Sequence, residues 1–284
     1  MSVSPSLLPL SAIVTRLRAV GCVFAEDEAR LLVTTARTPD ELAAMVDRRV
    51  AGLPLEHVLG WAEFHGLRIA VDHGVFVPRR RTEFLVDQAV GLARPGAVVV
   101  DLCCGSGAVG AALIAALGPV SPAELGPVSP VEPGPVPPVE LYAADIEPAA
   151  VRCARRNIPA DKGRVYEGDL YEPLPATLRG RVGILVANAP YVPTDAIRLL
   201  PPEARDHEPR VALDGGADGL DVQRRVLAEA AQWLAPDGHL LIETSEGQAP
   251  RTAETFARHG LIPRIAGCEE LGATVVIGTR PATV

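Results

Sequence analysis

Apolar side chains recur at helical spacing from about Ser6 to Leu53: Leu7, Leu8, Ile13 and Leu17, then Ala29, Leu32 and Val33, then Leu42, Met45 and Val46. Pro39 falls where a helix begins, a position at which its missing N–H costs nothing. The pattern predicts a small helical domain over residues 1–58. The period then changes. Residues 60–78, GWAEFHGLRIAVDHGVFVP, alternate polar and apolar around the turn signals His65-Gly66 and Asp72-His73-Gly74, which predicts a β-hairpin linker over 59–78.

From Arg79 onward, short strand-like runs alternate with helix-like ones. The strands are AVVVDL, ELYAAD, RVYEGD, RVGILVAN and GHLLIET, with two more expected near Ile262 and Val275. The helices between them include GAVGAALIAAL, EPAAVRCARRN and LDVQRRVLAEAAQWL, and another runs through Phe256. Such alternation predicts an α/β domain over 79–284, a mainly parallel sheet with helices on both faces. Ligands of such sheets bind at the carboxyl ends of the central strands.

One stretch breaks the alternation. Residues 118–139 belong to three imperfect octads, GPVSPAEL, GPVSPVEP and GPVPPVEL, dense in proline and poor in side chains suited to a core. They predict an extended surface insertion between the first helix of the α/β domain and its second strand.

Composition narrows the partners. The chain has 284 residues, 48% of them hydrophobic, and a net charge of −8. The size suits one sizeable α/β core with a small satellite, and the acidic balance lacks the basic footprint of a protein whose main partner is DNA or RNA. The five cysteines are odd in number and include no C-x-x-C pair, so neither a disulfide framework nor a zinc site is predicted, and a reducing cytoplasm is. No basic segment precedes an apolar run at the N-terminus, and no stretch approaches the roughly 20 apolar residues of a membrane span.

Asp101-Leu102-Cys103-Cys104-Gly105-Ser106-Gly107 follows an apolar strand and opens a helix, and its small residues let the backbone pass close to a ligand. Gly105, Gly107 and Gly110 also satisfy the G-x-G-x-x-G spacing of a dinucleotide loop. The loop therefore indicates an adenosine-containing cofactor without separating a dehydrogenase from a methyltransferase. Asp145, ending the second strand, is placed to accept from both ribose hydroxyls, and Asp169, ending the third, from an adenine amino group. Either aspartate also fits a helix cap or a turn.

Asn188-Ala189-Pro190-Tyr191 separates the two cofactor classes, because it puts an amide side chain in the ligand crevice that hydride transfer does not need. Methylating an amide nitrogen calls for acceptors that bond both its N–H groups and aim the nitrogen at the methyl carbon. The Asn188 side-chain oxygen and the Ala189 main-chain carbonyl fit that role. Pro190 biases Ala189 toward an extended backbone and fixes its own, while Tyr191 offers a flat face to a planar group. A strand-ending turn built from Asn and Pro is the purely structural reading. No Ser or Cys sits in a G-x-S-x-G elbow, so a hydrolase is not indicated, and His57 and His65, placed in the linker, are read as structural.

With these residues the chain resembles the HemK family of glutamine N(5)-methyltransferases, which modify peptide chain release factors and a ribosomal protein. The family's G-x-P-x-x-H-x-x-G-x-x-E-F stretch is matched by Gly52, Pro54, His57, Gly60, Glu63 and Phe64, and its F-x-P-R-x-x-T-E stretch by Phe76, Pro78, Arg79, Thr82 and Glu83. Its E-P-x-x-A-L pattern is matched by Glu208 to Leu213, followed by Asp218-Gly219, so the resemblance spans roughly residues 48–245. It implies a class I S-adenosylmethionine-dependent methyltransferase fold, Rossmann-like, with a mainly parallel seven-stranded sheet.

The resemblance further implies that Cys103, Cys104, Gly105, Ser106, Gly107, Asp145, Asp169, Leu170 and Asn188 bind S-adenosylmethionine. Asn188, Ala189, Pro190 and Tyr191 would hold the acceptor amide, with Phe76 and Arg79 shaping the glutamine pocket. The implied partner is a protein acceptor such as a peptide chain release factor, with no metal, no membrane and no direct nucleic-acid contact. Ala189 stands where the family's usual N-P-P-Y has its first proline, Cys103 stands where glycine is usual, and the C-terminal D-x-x-G-x-x-R pattern is absent from Cys268 to Thr274. Those departures and the short helical domain bear on which protein docks more than on the reaction. Two other classes fit the residues: N-methylation of a small molecule or a nucleobase amino group, and a non-catalytic module that docks a partner through the proline-rich insertion.

Overall fold

The computed structural model describes residues 9–118 and 138–282, and the predicted insertion falls almost wholly outside them. The described chain opens with α1 (Leu10–Ala19), α2 (Ala25–Thr35), α3 (Pro39–Val50) and α4 (Leu55–Leu59). Pro39 does begin α3. The Thr38 hydroxyl accepts from the Glu41 N–H at 3.1 Å and the Glu41 carboxylate accepts from the Arg37 N–H at 2.7 Å, a reciprocal cap that satisfies otherwise orphaned donors. Ile13, Leu17, Ala29, Leu32, Met45 and Val46 share an apolar cluster of their own, whereas Val33, on the same predicted stripe, is exposed.

The hairpin follows, with β1 (Trp61–Phe64) antiparallel to β2 (Leu67–Ala70). His65 and Gly66 both take positive φ, +49° and +73°, as a two-residue turn matched to strand twist requires. The hairpin is shorter than its sequence pattern predicts, because residues 71–79 leave it. There the Val77 N–H bonds the Glu208 carboxylate at 3.1 Å instead of a strand, and Pro78 has no N–H to offer. His57 lies in α4, not in the linker, with Nε2 2.8 Å from the Val75 carbonyl oxygen.

The α/β part runs α5 (Glu83–Leu92), β3 (Val98–Leu102), α6 (Ala108–Leu117), β4 (Glu140–Asp145), α7 (Pro148–Asn157), β5 (Gly163–Glu167) and β6 (Val182–Ala187). It continues through α8 (Pro202–His207), α9 (Asp221–Trp233), β7 (Leu234–Thr244), α10 (Ala249–Arg258), β8 (Ile262–Cys268) and β9 (Ala273–Thr279). Among the described residues the sheet has seven strands in the order β5-β4-β3-β6-β7-β9-β8. β3 to β7 are parallel, and β9 runs antiparallel between β7 and β8. Two boundaries differ from the sequence reading. β5 stops at Glu167, before Asp169, where its ladder with β4 ends; β7 begins at Leu234, taken from the predicted end of α9, because Leu234 pairs with Val182.

Every residue of β3 is buried, which explains why its sequence shows no polar alternation. Val99 packs with α5 and α6 on one face of the sheet, while Val98, Val100 and Leu102 join Trp233 and Phe256 on the other. Burying each of those two aromatic side chains contributes about 2–3 kcal/mol. On the second face Tyr171 stacks on Trp233 at 5.3 Å. At β3 the strand order reverses: β4 lies on one side and β6 on the other, so their carboxyl ends diverge and open a crevice. Among the described residues no helix is long and apolar enough to cross a membrane.

Candidate active site

A cleft of about 410 Å³ opens at that crevice. Past Leu102 the chain turns over the sheet edge: the Cys104 N–H bonds the Ala144 carbonyl at 3.1 Å, and the Gly107 N–H bonds the Cys104 carbonyl at 2.7 Å. Cys103, Cys104, Gly105 and Ser106 line the cleft. A Cβ on Gly105 would meet nothing within 4 Å, so the bare backbone there borders open space that a ligand can approach. Gly107 is different. At φ +77° it packs against α7, where a Cβ would come within 3.0 Å of Ala154 and Ile158, and it does not line the cleft.

Asp145 ends β4 and faces the loop. One carboxylate oxygen accepts the Gly105 N–H at 2.8 Å and the other the Glu147 N–H at 2.9 Å, leaving lone pairs on both. Burial pushes its carboxyl above the usual range, and those backbone bonds pull it back. Asp101, at the head of the glycine loop, lines the same cleft. It is 2% exposed, accepts the Gly110 N–H at 3.0 Å, and is pushed up to about 7 by burial. Asp169 and Leu170 also line the cleft, but one Asp169 oxygen is already held by Arg225 of α9 at 2.5 Å.

β6 ends at Ala187, and Asn188, Ala189, Pro190 and Tyr191 carry the chain along the cleft. Asn188 Nδ2 donates to the Thr82 hydroxyl at 3.4 Å, which leaves its Oδ1 as the free end of the amide. Among the described residues no hydrogen bond ends on Asn188 Oδ1 or on the Ala189 carbonyl. By contrast, the Tyr191 carbonyl accepts from Gln248 Nε2 at 3.0 Å, and its hydroxyl donates to Glu243 at 3.2 Å. Burial, with Glu243 beside it, pushes the Tyr191 phenol up to about 12, so it stays protonated at neutral pH. Gly219, at φ +78°, passes so close to the clamp that a Cβ would lie 2.3 Å from the Tyr191 carbonyl oxygen, which accounts for the glycine of Asp218-Gly219.

Phe76 and Arg79 face the clamp across the cleft, with the guanidinium 5.0 Å from the Phe76 ring centre and bonded to Glu208. The fold therefore brings every residue expected to bind cofactor or acceptor to one cleft, Gly107 excepted, while Gly110, the third glycine of the loop spacing, lies off it in α6. It adds Arg81, Thr82, Asp101 and Arg225 to the lining. Thr82 and Asp101 fall inside stretches already quoted. Arg81 and Arg225 carry no sequence signal, because their carboxylate partners lie 162 and 56 residues away.

No family model matches the chain. Whole-chain comparison does find relatives. The release factor glutamine methyltransferase of Geobacter sulfurreducens is 36% identical over 247 residues, covering 85% of this chain and 79% of the relative. The protein of the same description from Mycolicibacterium smegmatis is 36% identical over 239 residues, covering 82% and 78%. Among solved structures, a methyltransferase from Pyrococcus furiosus superposes with a TM-score of 0.52 at 15% identity, over 84% of this chain and 98% of that one, a likeness of fold. The fold is that of the class I S-adenosylmethionine-dependent methyltransferases, and the chain belongs to the release factor glutamine methyltransferase family.

Proposed function

We propose that this chain transfers a methyl group from S-adenosylmethionine to the side-chain amide nitrogen of a glutamine in a protein, a peptide chain release factor being the acceptor that its relatives' descriptions favour. The observation that carries the reading is the pair of adjacent, unpartnered acceptors at the end of β6, Asn188 Oδ1 and the Ala189 carbonyl. A primary amide offers two N–H donors, and two acceptors side by side bond both. Holding both hydrogens fixes the plane of the amide and the direction its nitrogen faces, which is most of what a displacement at carbon asks of a protein.

The cofactor reading fits the residues present. Asp145 keeps lone pairs for two ribose hydroxyls, Gly105 leaves the space a side chain would fill, and buried Asp101 puts a carboxyl where a cationic ligand favours its ionised form. Asp169 and Leu170 complete the adenine side. Bound there, S-adenosylmethionine supplies an electrophilic methyl group on a positively charged sulfur. Asn188 and Ala189 orient the amide, Pro190 stiffens the turn between them and Tyr191, and the Tyr191 ring backs the planar group. The nitrogen's spare proton leaves to water after transfer. The helices α1 to α4 serve to dock the protein acceptor, and the strongly exposed Val23 and Phe24, at 81% and 69%, suit that use.

Asn188→Ala and Asn188→Asp test the reading. Loss of one positioned acceptor lowers kcat by about 100-fold or more while cofactor affinity stays within a few-fold. Full activity in Asn188→Ala would contradict the clamp.

A further inference from the structure

Behind the clamp lies a carboxylate that the chemistry above leaves unused. Glu243, near the end of β7, is 2% exposed, and the pairing of Ala187 with Ile242 sets it beside the start of the clamp. Its Oε1 accepts from the Tyr191 hydroxyl at 3.2 Å and from Arg81 Nε at 3.2 Å. Its Oε2 is buried and, among the described residues, has no partner at all. The Arg81 guanidinium in turn stands 6.0 Å from the centre of the Tyr191 ring. Arg81 and Tyr191 line the cleft; Glu243 does not.

A buried carboxylate with an idle oxygen is a poor way to stabilise a fold, since an apolar side chain of similar size fills the same volume without desolvating a charge. What it does supply is orientation. One oxygen joins two cleft-lining side chains that approach from different parts of the chain, the turn before α5 and the end of β6. Without it the Tyr191 hydroxyl has no acceptor to hold it and the ring is freer to tilt. Arg81, whose side chain is 43% exposed, is then free to leave the rim.

We infer that Glu243 is a positioning residue for the acceptor pocket, which fixes the Tyr191 ring behind the amide and anchors Arg81 at the pocket's rim. The inference rests on reading Asn188 to Tyr191 as the acceptor clamp, and it assigns Glu243 no contact with cofactor or substrate. Its effect should therefore fall on the acceptor and pass through Tyr191.

Glu243→Leu, Tyr191→Phe and the double variant, assayed with labelled S-adenosylmethionine and a purified bacterial release factor, test it. Glu243→Leu, which removes the acceptor of both bonds, lowers kcat about 10- to 100-fold, as misplacement of a reacting group does, with cofactor affinity within about twofold. In the Tyr191→Phe background the same change costs less than about threefold more, because the two act as a unit. Equal losses in both backgrounds, or cofactor affinity falling in step, would overturn the inference. A second readout is independent of the acceptor: by NMR on ¹³C-labelled tyrosine, the Tyr191 Cζ resonance moves in Glu243→Leu, because its hydroxyl has lost its acceptor and the ring its fixed tilt. If the wild-type enzyme leaves release factors unlabelled, the proposed acceptor falls and the Tyr191 resonance alone decides the role of Glu243; an unchanged resonance then refutes it. Should Glu243→Leu not fold, Glu243→Asp draws the carboxylate back from Tyr191 by one methylene and is read the same way.

Discussion

Arg79 Nη2 donates to both carboxylate oxygens of Glu208, at 2.6 and 2.7 Å, and the Glu208 carboxylate is completely buried. Burial pushes the Glu208 carboxyl above its ordinary range while Arg79 and the Val77 N–H oppose it. Removing the arginine leaves a buried acid unpaired, so Arg79→Met destabilises the protein by about 3 kcal/mol. Adding Glu208→Gln to Arg79→Met recovers much of that loss, because the amide no longer has a charge to bury. Denaturant unfolding of the three proteins checks the order.

Asp101 makes stability fall as pH rises. Its folded-state value, about 7, lies above that of an exposed aspartate, so its contribution is whole below pH 4 and is lost as pH climbs through 7. Between pH 5 and 8 the wild-type protein, without cofactor, loses on the order of a few kcal/mol through this group. Asp101→Asn, which can still accept the Gly110 N–H, flattens that slope. Unfolding curves at the two pH values measure the difference.

Cys103 sits at φ +55°, a backbone region that costs an L-residue roughly 1 kcal/mol and glycine nothing. Cys103→Gly therefore raises stability by about 0.5–1 kcal/mol, while Cys103→Ala keeps the strain and gives no gain. Thermal unfolding of both variants separates release of strain from loss of the thiol.

The fold was written in the sequence wherever a pattern is local. The βα alternation, the start of α3 at Pro39 and the turn at His65-Gly66 all depend on neighbours a few residues apart. The hairpin's end was not legible, because what draws Val77 out of a strand is Glu208, 131 residues later. Within the site, the glycine loop, the two aspartates and the clamp are contiguous motifs and were readable one by one. The pairing of Asp169 with Arg225, and of Tyr191 and Arg81 with Glu243, exists only once α9 and β7 have packed beside β5 and β6.

Asp145 and Asp169 should differ in weight for cofactor affinity. On the proposed ribose contacts, Asp145→Ala removes two hydrogen bonds to the cofactor together with the anchor of the Gly105 N–H, and S-adenosylhomocysteine binding is expected to weaken by at least about tenfold. Arg225→Ala frees one oxygen of Asp169 from a largely exposed ion pair, and binding changes by less than about fivefold. Titration calorimetry on both variants ranks them.

On the proposed function, the acceptors at Asn188 and Ala189 hold a glutamine amide for methylation. Transfer of labelled methyl from S-adenosylmethionine to a purified release factor tests it most directly, with the factor intact and with the glutamine of its Gly-Gly-Gln loop replaced. Labelling of the intact factor that disappears with the glutamine, and with Asn188→Ala in the enzyme, is the expected result. Labelling that persists without that glutamine, or no labelling by an enzyme that binds the cofactor, would contradict it.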